Sequence, residues 1–135
     1  MNKVIVTVGI TENNYSAHVD VGDGIVVATG KTFEKLKQQM EEAVDFHLEG
    51  MREDRDEIPD AFLGEYELIF HFDVQSLLLH YKGVFTNSAL ERITGINQRQ
   101  LQHYVSGHSK PRRPQAEKIQ SALHRLGREL LVVEL

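Results

Sequence analysis

The string TNSALERITGINQRQLQHYVSGHSKPRRP, residues 86 to 114, concentrates the chemistry that this chain can do. Gln98, Arg99, Gln102 and His103 sit within six residues of one another on a segment of helical spacing. A guanidinium can donate two bonds to guanine O6 and N7, and a carboxamide can bond adenine N6 and N7, provided that both lie in a major groove. Lys110, Arg112 and Arg113 follow, where a proline-led helix begins, and can meet phosphates with charge and with free helix N-terminal amides. The chemistry is that of reading a duplex.

Other chemistries lack their parts. Two-metal phosphodiester cleavage needs several carboxylates converging on ions about 4 Å apart. Lys3 to Ile10, the first strand-like run, contains no Asp or Glu, so Glu41, Glu42 and Asp73 would have to assemble a site without a central ligand. The acidic run Glu53, Asp54, Asp56, Glu57 and Asp60 has neither the alternation nor the glycine of a calcium loop and reads as a solvated connection. Of the seven histidines only His103 and His108 are close in sequence, and no His-Glu-x-x-His string occurs. His47, on the apolar spacing of a long helix, reads as a packed side chain rather than a ligand. With no cysteine and no nucleophile elbow, neither an enzyme nor a bound metal or other cofactor is expected.

These residues need elements to hold them. Leu90, Ile96, Leu101 and Tyr104 fall where two short helices joined through Gly95-Ile96 must touch, with Asn97 placed to cap the second, which is the spacing of a helix-turn-helix. Four helical segments are expected: Ser76 to Tyr81, Thr86 to Thr94, Asn97 to Ser106, and one beginning near Pro114 with a stripe of Ala116, Ile119, Leu123 and Leu126 ahead of Gly127. The tail Glu129 to Leu135 has the composition of a strand, either a dimer element or a cover for its own domain.

Before Val74 the pattern differs. Lys3 to Ile10, Tyr15 to Val21 and Ile25 to Thr29 read as strands separated by turn residues. Thr32 can cap a helix with apolar positions Phe33, Leu36, Met40, Ala43, Val44, His47 and Met51, and after a connection from Arg52 to Glu65 the run YELIFHF alternates Tyr66, Leu68, Phe70 and Phe72 inward. The expected class is α+β: a β-β-β-α-β domain over residues 1–73, then a small all-α domain with a short C-terminal strand over 74–135.

Charge divides at the same place. Residues 1 to 75 hold six Lys or Arg against sixteen Asp or Glu, a net −10, whereas residues 76 to 135 hold nine against four, a net +5. The second half suits a phosphate backbone and the first would repel one, suiting a basic protein or a cation. No run approaches the eighteen or so apolar residues of a membrane span, and the start does not read as a signal peptide, so a cytoplasmic protein is expected.

Residues 76 to 126 resemble the repressor-type (lambda-repressor-like, Xre) helix-turn-helix family through Gly95-Ile96-Asn97, the run from Gln98 to Ser106, Gly107, and Lys110 to Pro114. The resemblance implies that Gln98, Arg99 and His103 face bases while Asn97, Gln100, Lys110, Arg112 and Arg113 face backbone. Glu91 stands where that family normally has a small residue for close helix packing. The preceding half resembles the HicB antitoxin family, on Asp20, Gly30, Thr32, Glu42-Ala43, His47-Leu48-Glu49-Gly50 and Ile58-Pro59, while Val21-Gly22-Asp23-Gly24 departs from its proline-containing turn. This implies a partial ribonuclease-H-like fold without nuclease activity, a HicA-type toxin that cleaves messenger RNA as partner, and repression of its own operon through operator DNA. A homodimer is expected because two-fold DNA sites need two reading heads. The rival reading is a ligand-sensing transcription regulator whose first domain binds a small molecule.

Overall fold

The computed structural model describes residues 1–11 and 13–135 and is mixed α+β, with a four-stranded sheet and five helices. It divides into two compact units, Met1–Asp73 and Val74–Leu135.

In the first unit β1 (Asn2–Ile10), β2 (Tyr15–Val21), β3 (Gly24–Gly30) and β4 (Tyr66–Phe72) lie in the order β3-β2-β1-β4. The hairpin pairs are antiparallel, with Ala17 opposite both Val8 and Ala28. β4 joins β1 in parallel, Val6 opposite Phe70, which requires a crossover. The crossover is α1 (Phe33–Glu53). Alternate residues along the middle of the first three strands are buried, Val4, Val6 and Val8 on β1, Ala17, Val19 and Val21 on β2 and Val26 and Ala28 on β3, and these meet Leu36, Met40, Val44 and Leu48 of α1. Only one sheet face is covered in this way; Ile5, Ile25 and Val27 on the other are exposed.

Two residues fix how α1 enters. Thr32 is extended and its hydroxyl accepts from the Lys35 amide at 3.1 Å, closing the first turn. Gly30 lets that turn sit on the end of β3: a Cβ there would lie 2.6 Å from the Leu36 nitrogen and 3.0 Å from its Cα. The Gly-x-Thr spacing is therefore a packing requirement. At its other end α1 closes in a Schellman turn, the Asp56 amide donating to Met51 O and the Arg55 amide to Arg52 O. Arg55 takes the left-handed position usually held by glycine, at φ 60°.

The structure refines one sequence expectation and corrects two. The buried member of the helical stripe at the C-terminal end of α1 is Leu48, 2% exposed, whereas His47 is half-buried. Its ring lies 3.5 Å from where a Cβ on Gly24 would stand. The connection from Arg52 to Glu65 is not wholly solvated, because a 3-10 turn, Asp60–Phe62, places Phe62 in the core at 4% exposure, edge-on to Tyr66. The C-terminal strand is absent: α5 (Arg113–Leu131) runs through Gly127 and takes in Glu129, Leu130 and Leu131, while 132–135 form no strand.

The second unit contains α2 (Val74–His80), α3 (Asn87–Thr94), α4 (Gln98–Ser106) and α5, around a core of Leu78, Leu90, Ile96, Leu101, Tyr104 and Ile119. No helix of the described residues is long and apolar enough to cross a membrane.

Candidate nucleic-acid interface

The α3–α4 turn is built by side chains close in sequence. The Thr86 and Asn97 side chains cap α3 and α4, accepting from the Ala89 and Gln100 amides at 3.0 and 2.9 Å. Gly95 and Gly107 end the two helices at φ 78° and 79°, where a Cβ would be strained. Buried Thr94 adds a staple that the sequence reading missed: its hydroxyl donates to Leu90 O at 2.6 Å and accepts from the Ile96 amide at 3.1 Å. Leu90, Ile96, Leu101 and Tyr104 are all buried, as their spacing requires. From α5, Arg125 donates to Ile93 O at 3.0 Å and satisfies a carbonyl at the end of α3.

With Leu101 and Tyr104 turned inward, Gln98, Arg99 and Gln102 are exposed and His103 half-buried. They differ in freedom. The Gln98 carboxamide leans on Glu91 (Nε2 to Oε1, 3.4 Å), and the Gln102 Oε1 accepts from Asn87 Nδ2 at 2.9 Å. The His103 ring packs on His108 with centroids 4.6 Å apart. Reading by either glutamine therefore requires exchange of an existing surface hydrogen bond, each worth about 1 kcal/mol net.

Glu91 has a definite place. Its carboxylate accepts from the Gln98 amide at 2.9 Å, so a residue of α3 supplies a second cap to α4. Two of the first three amides of α4, those of Gln98 and Gln100, are then held by side-chain oxygens, and a negative charge sits at the positive end of the helix.

The backbone-contact candidates separate as well. Asn97, Gln100, Lys110 and Arg112 line a groove of about 480 Å³ between the start of α4 and the start of α5, together with Tyr104 and Lys118. Gln100 is half-buried and donates to Ser109 Oγ at 3.2 Å, which makes it a wall of the groove rather than a free arm. Arg113 is not part of this lining; it forms an exposed i,i+4 pair with Glu117 at 3.0 Å, a contact worth only a few tenths of a kcal/mol. Lys118 is the residue that sequence reasoning missed. Its ammonium is brought against Gly95 by the packing of α5, and its position one turn beyond Pro114 was the available signal.

Lys110, Arg112 and Lys118 give the groove three cations and no carboxylate among its lining residues. Such a lining can hold an anion by charge. Among the described residues no group of three or more His, Asp or Glu is placed to hold a metal ion. The chain matches no family model, no curated protein and no solved structure.

Proposed function

We propose that this chain is an antitoxin of the HicB type, with no catalytic activity and no cofactor of its own. Its Val74–Leu135 unit acts as a helix-turn-helix that lays α4 in the major groove of operator DNA. Its Met1–Asp73 unit acts as a partial ribonuclease-H-like domain that binds and neutralises a small basic HicA-type toxin. The observation that carries the first half is the presentation of Gln98, Arg99 and Gln102 from the exposed side of a doubly capped α4, beside a groove lined by Lys110, Arg112 and Lys118. Base-edge donors flanked by phosphate-binding cations are what duplex recognition needs. The second half is supported by the net −10 of the first unit, whose surface attracts a basic RNA-cutting protein, although screening over about 8 Å leaves specificity to direct contacts.

Two copies would meet a two-fold operator. Leu130, Leu131, Val132 and Val133 at the exposed end of α5 form the apolar segment proposed to join them. The setting is cytoplasmic. The test is coexpression with any adjacent small basic reading frame, scoring growth rescue and copurification, with a gel shift on the DNA upstream. Rescue, a stable complex and a shifted band are expected. Failure of rescue and copurification together would sink the antitoxin reading and turn attention to a small-molecule regulator.

A further inference from the structure

The first unit carries a groove of about 1000 Å³ between the β2–β3 turn, the C-terminal end of α1 and the loop that follows it. Part of its wall is apolar, with Phe46, Met51 and Ile58 contributing. Phe46 is 80% exposed, an aromatic ring left in water on the outer side of a helix whose other face is fully used by the core. Five carboxylates, those of Asp23, Asp54, Asp56, Glu57 and Asp60, stand around it, and no Lys or Arg is among the lining residues. The Schellman turn at Arg55 shapes this rim, since it folds Asp54, Asp56 and Glu57 back toward the helix end.

An exposed aromatic beside a concave, partly apolar surface, with carboxylates around it, has the anatomy of an interface centre: an anchor that gains by desolvation and a rim that selects by charge. We infer that this groove docks a small basic protein, which inserts an apolar side chain against Phe46 while flanking lysines or arginines meet the carboxylates. The inference rests on reading the first unit as protein-binding and names the surface that does the binding. A nucleic acid is disfavoured there, because the five carboxylates of the lining repel phosphate and no Lys or Arg offsets them.

The test uses the full chain, isotope-labelled for NMR, and two probes: a short synthetic amphipathic peptide of leucine and lysine, and the product of the adjacent small basic reading frame. The peptide should shift the resonances of Phe46, Gly50 and Ile58. Phe46→Ala, which removes no core contact, should weaken it about 30-fold, the effect of a typical hot-spot residue. Neutralising Asp54, Asp56 and Glu57 to their amides should weaken it about tenfold and flatten its salt dependence, whereas the same charge change at Glu34, Glu65 and Glu67 should alter it less than about twofold. Peptide-induced shifts elsewhere, or equal losses in both charge sets, would overturn the docking site. Rescue and copurification that persist in Phe46→Ala and in the amide triple variant would also overturn it while leaving the antitoxin reading intact. A peptide seated in the groove without rescue by the neighbouring product would keep the groove and remove the antitoxin.

Discussion

On the proposal that α4 meets DNA, Glu91 couples the stability of that helix to its encounter with phosphate, and the two effects of removing it have opposite signs. Its carboxylate accepts the Gln98 amide at 2.9 Å, a half-buried, charge-assisted cap. Such caps contribute about 1 kcal/mol, with the helix dipole included. Glu91→Ala should therefore lower the unfolding free energy by about 1 kcal/mol, or roughly 4 to 8 °C in Tm for a unit of this size. The same carboxylate repels a phosphate approaching the start of α4, by about 1 kcal/mol for charges ~4 Å apart in water. Its removal should strengthen DNA binding about fivefold at low salt, with the gain fading as salt is raised. Glu91→Gln separates the terms, since it retains an acceptor for the Gln98 amide and loses the charge. It should keep most of the stability and show the full gain in binding. Denaturant titration followed by circular dichroism, and fluorescence anisotropy on the upstream duplex at several salt concentrations, measure the two quantities. Binding that weakens in step with stability in both variants would refute the placement of phosphate near this helix end.

Arg99→Ala should reduce discrimination at one base pair by about 1 to 3 kcal/mol, whereas Arg112→Ala should weaken operator and random DNA alike and reduce the salt slope by about one; anisotropy on matched and scrambled duplexes distinguishes them. Gly30→Ala drives a Cβ to 2.6 Å from the Leu36 nitrogen, a backbone atom that moves only with α1. It should cost at least the roughly 1 to 3 kcal/mol of overpacking, and a denaturation midpoint unchanged from wild type would contradict the packing account. His80 ends α2, where the helix dipole favours the imidazolium, yet burial wins and holds its pKa below 6.5. The unfolded chain then binds the proton more readily, so stability is unaffected above about pH 6.5 and falls as pH drops through the window beneath it. His80→Gln should flatten that part of the stability profile, and an unchanged slope by thermal denaturation would remove His80 as its cause.

Local rules made much of the architecture legible. Alternating apolar residues mark β1 and β2, Thr32, Thr86 and Asn97 are caps whose partners lie three residues away, and Gly95 and Gly107 end helices because few other residues adopt positive φ cheaply. Each depends on atoms within a turn or a pleat of one another.

What resisted reading depends on distant or missing partners. Val132 and Val133 have strand composition, but a strand needs a neighbour to accept its ladder; here α5 satisfies its own amides past Gly127 and ends in turn bonds to Glu129 and Leu130. Glu91, Gln102 and Lys118 acquired their places only when α3, α4 and α5 came together, and nothing in the order of residues sets the short distances between side chains on different helices. The groove beside Phe46 was equally hidden, because the acidic connection looks solvated until Phe62 anchors it in the core and the Arg55 turn bends it back. Sequence determined which segments form helices and strands, the C-terminal tail excepted, and which carry charge; tertiary packing decided which of those charges stand free, since that depends on where other segments place their hydrogen-bonding groups.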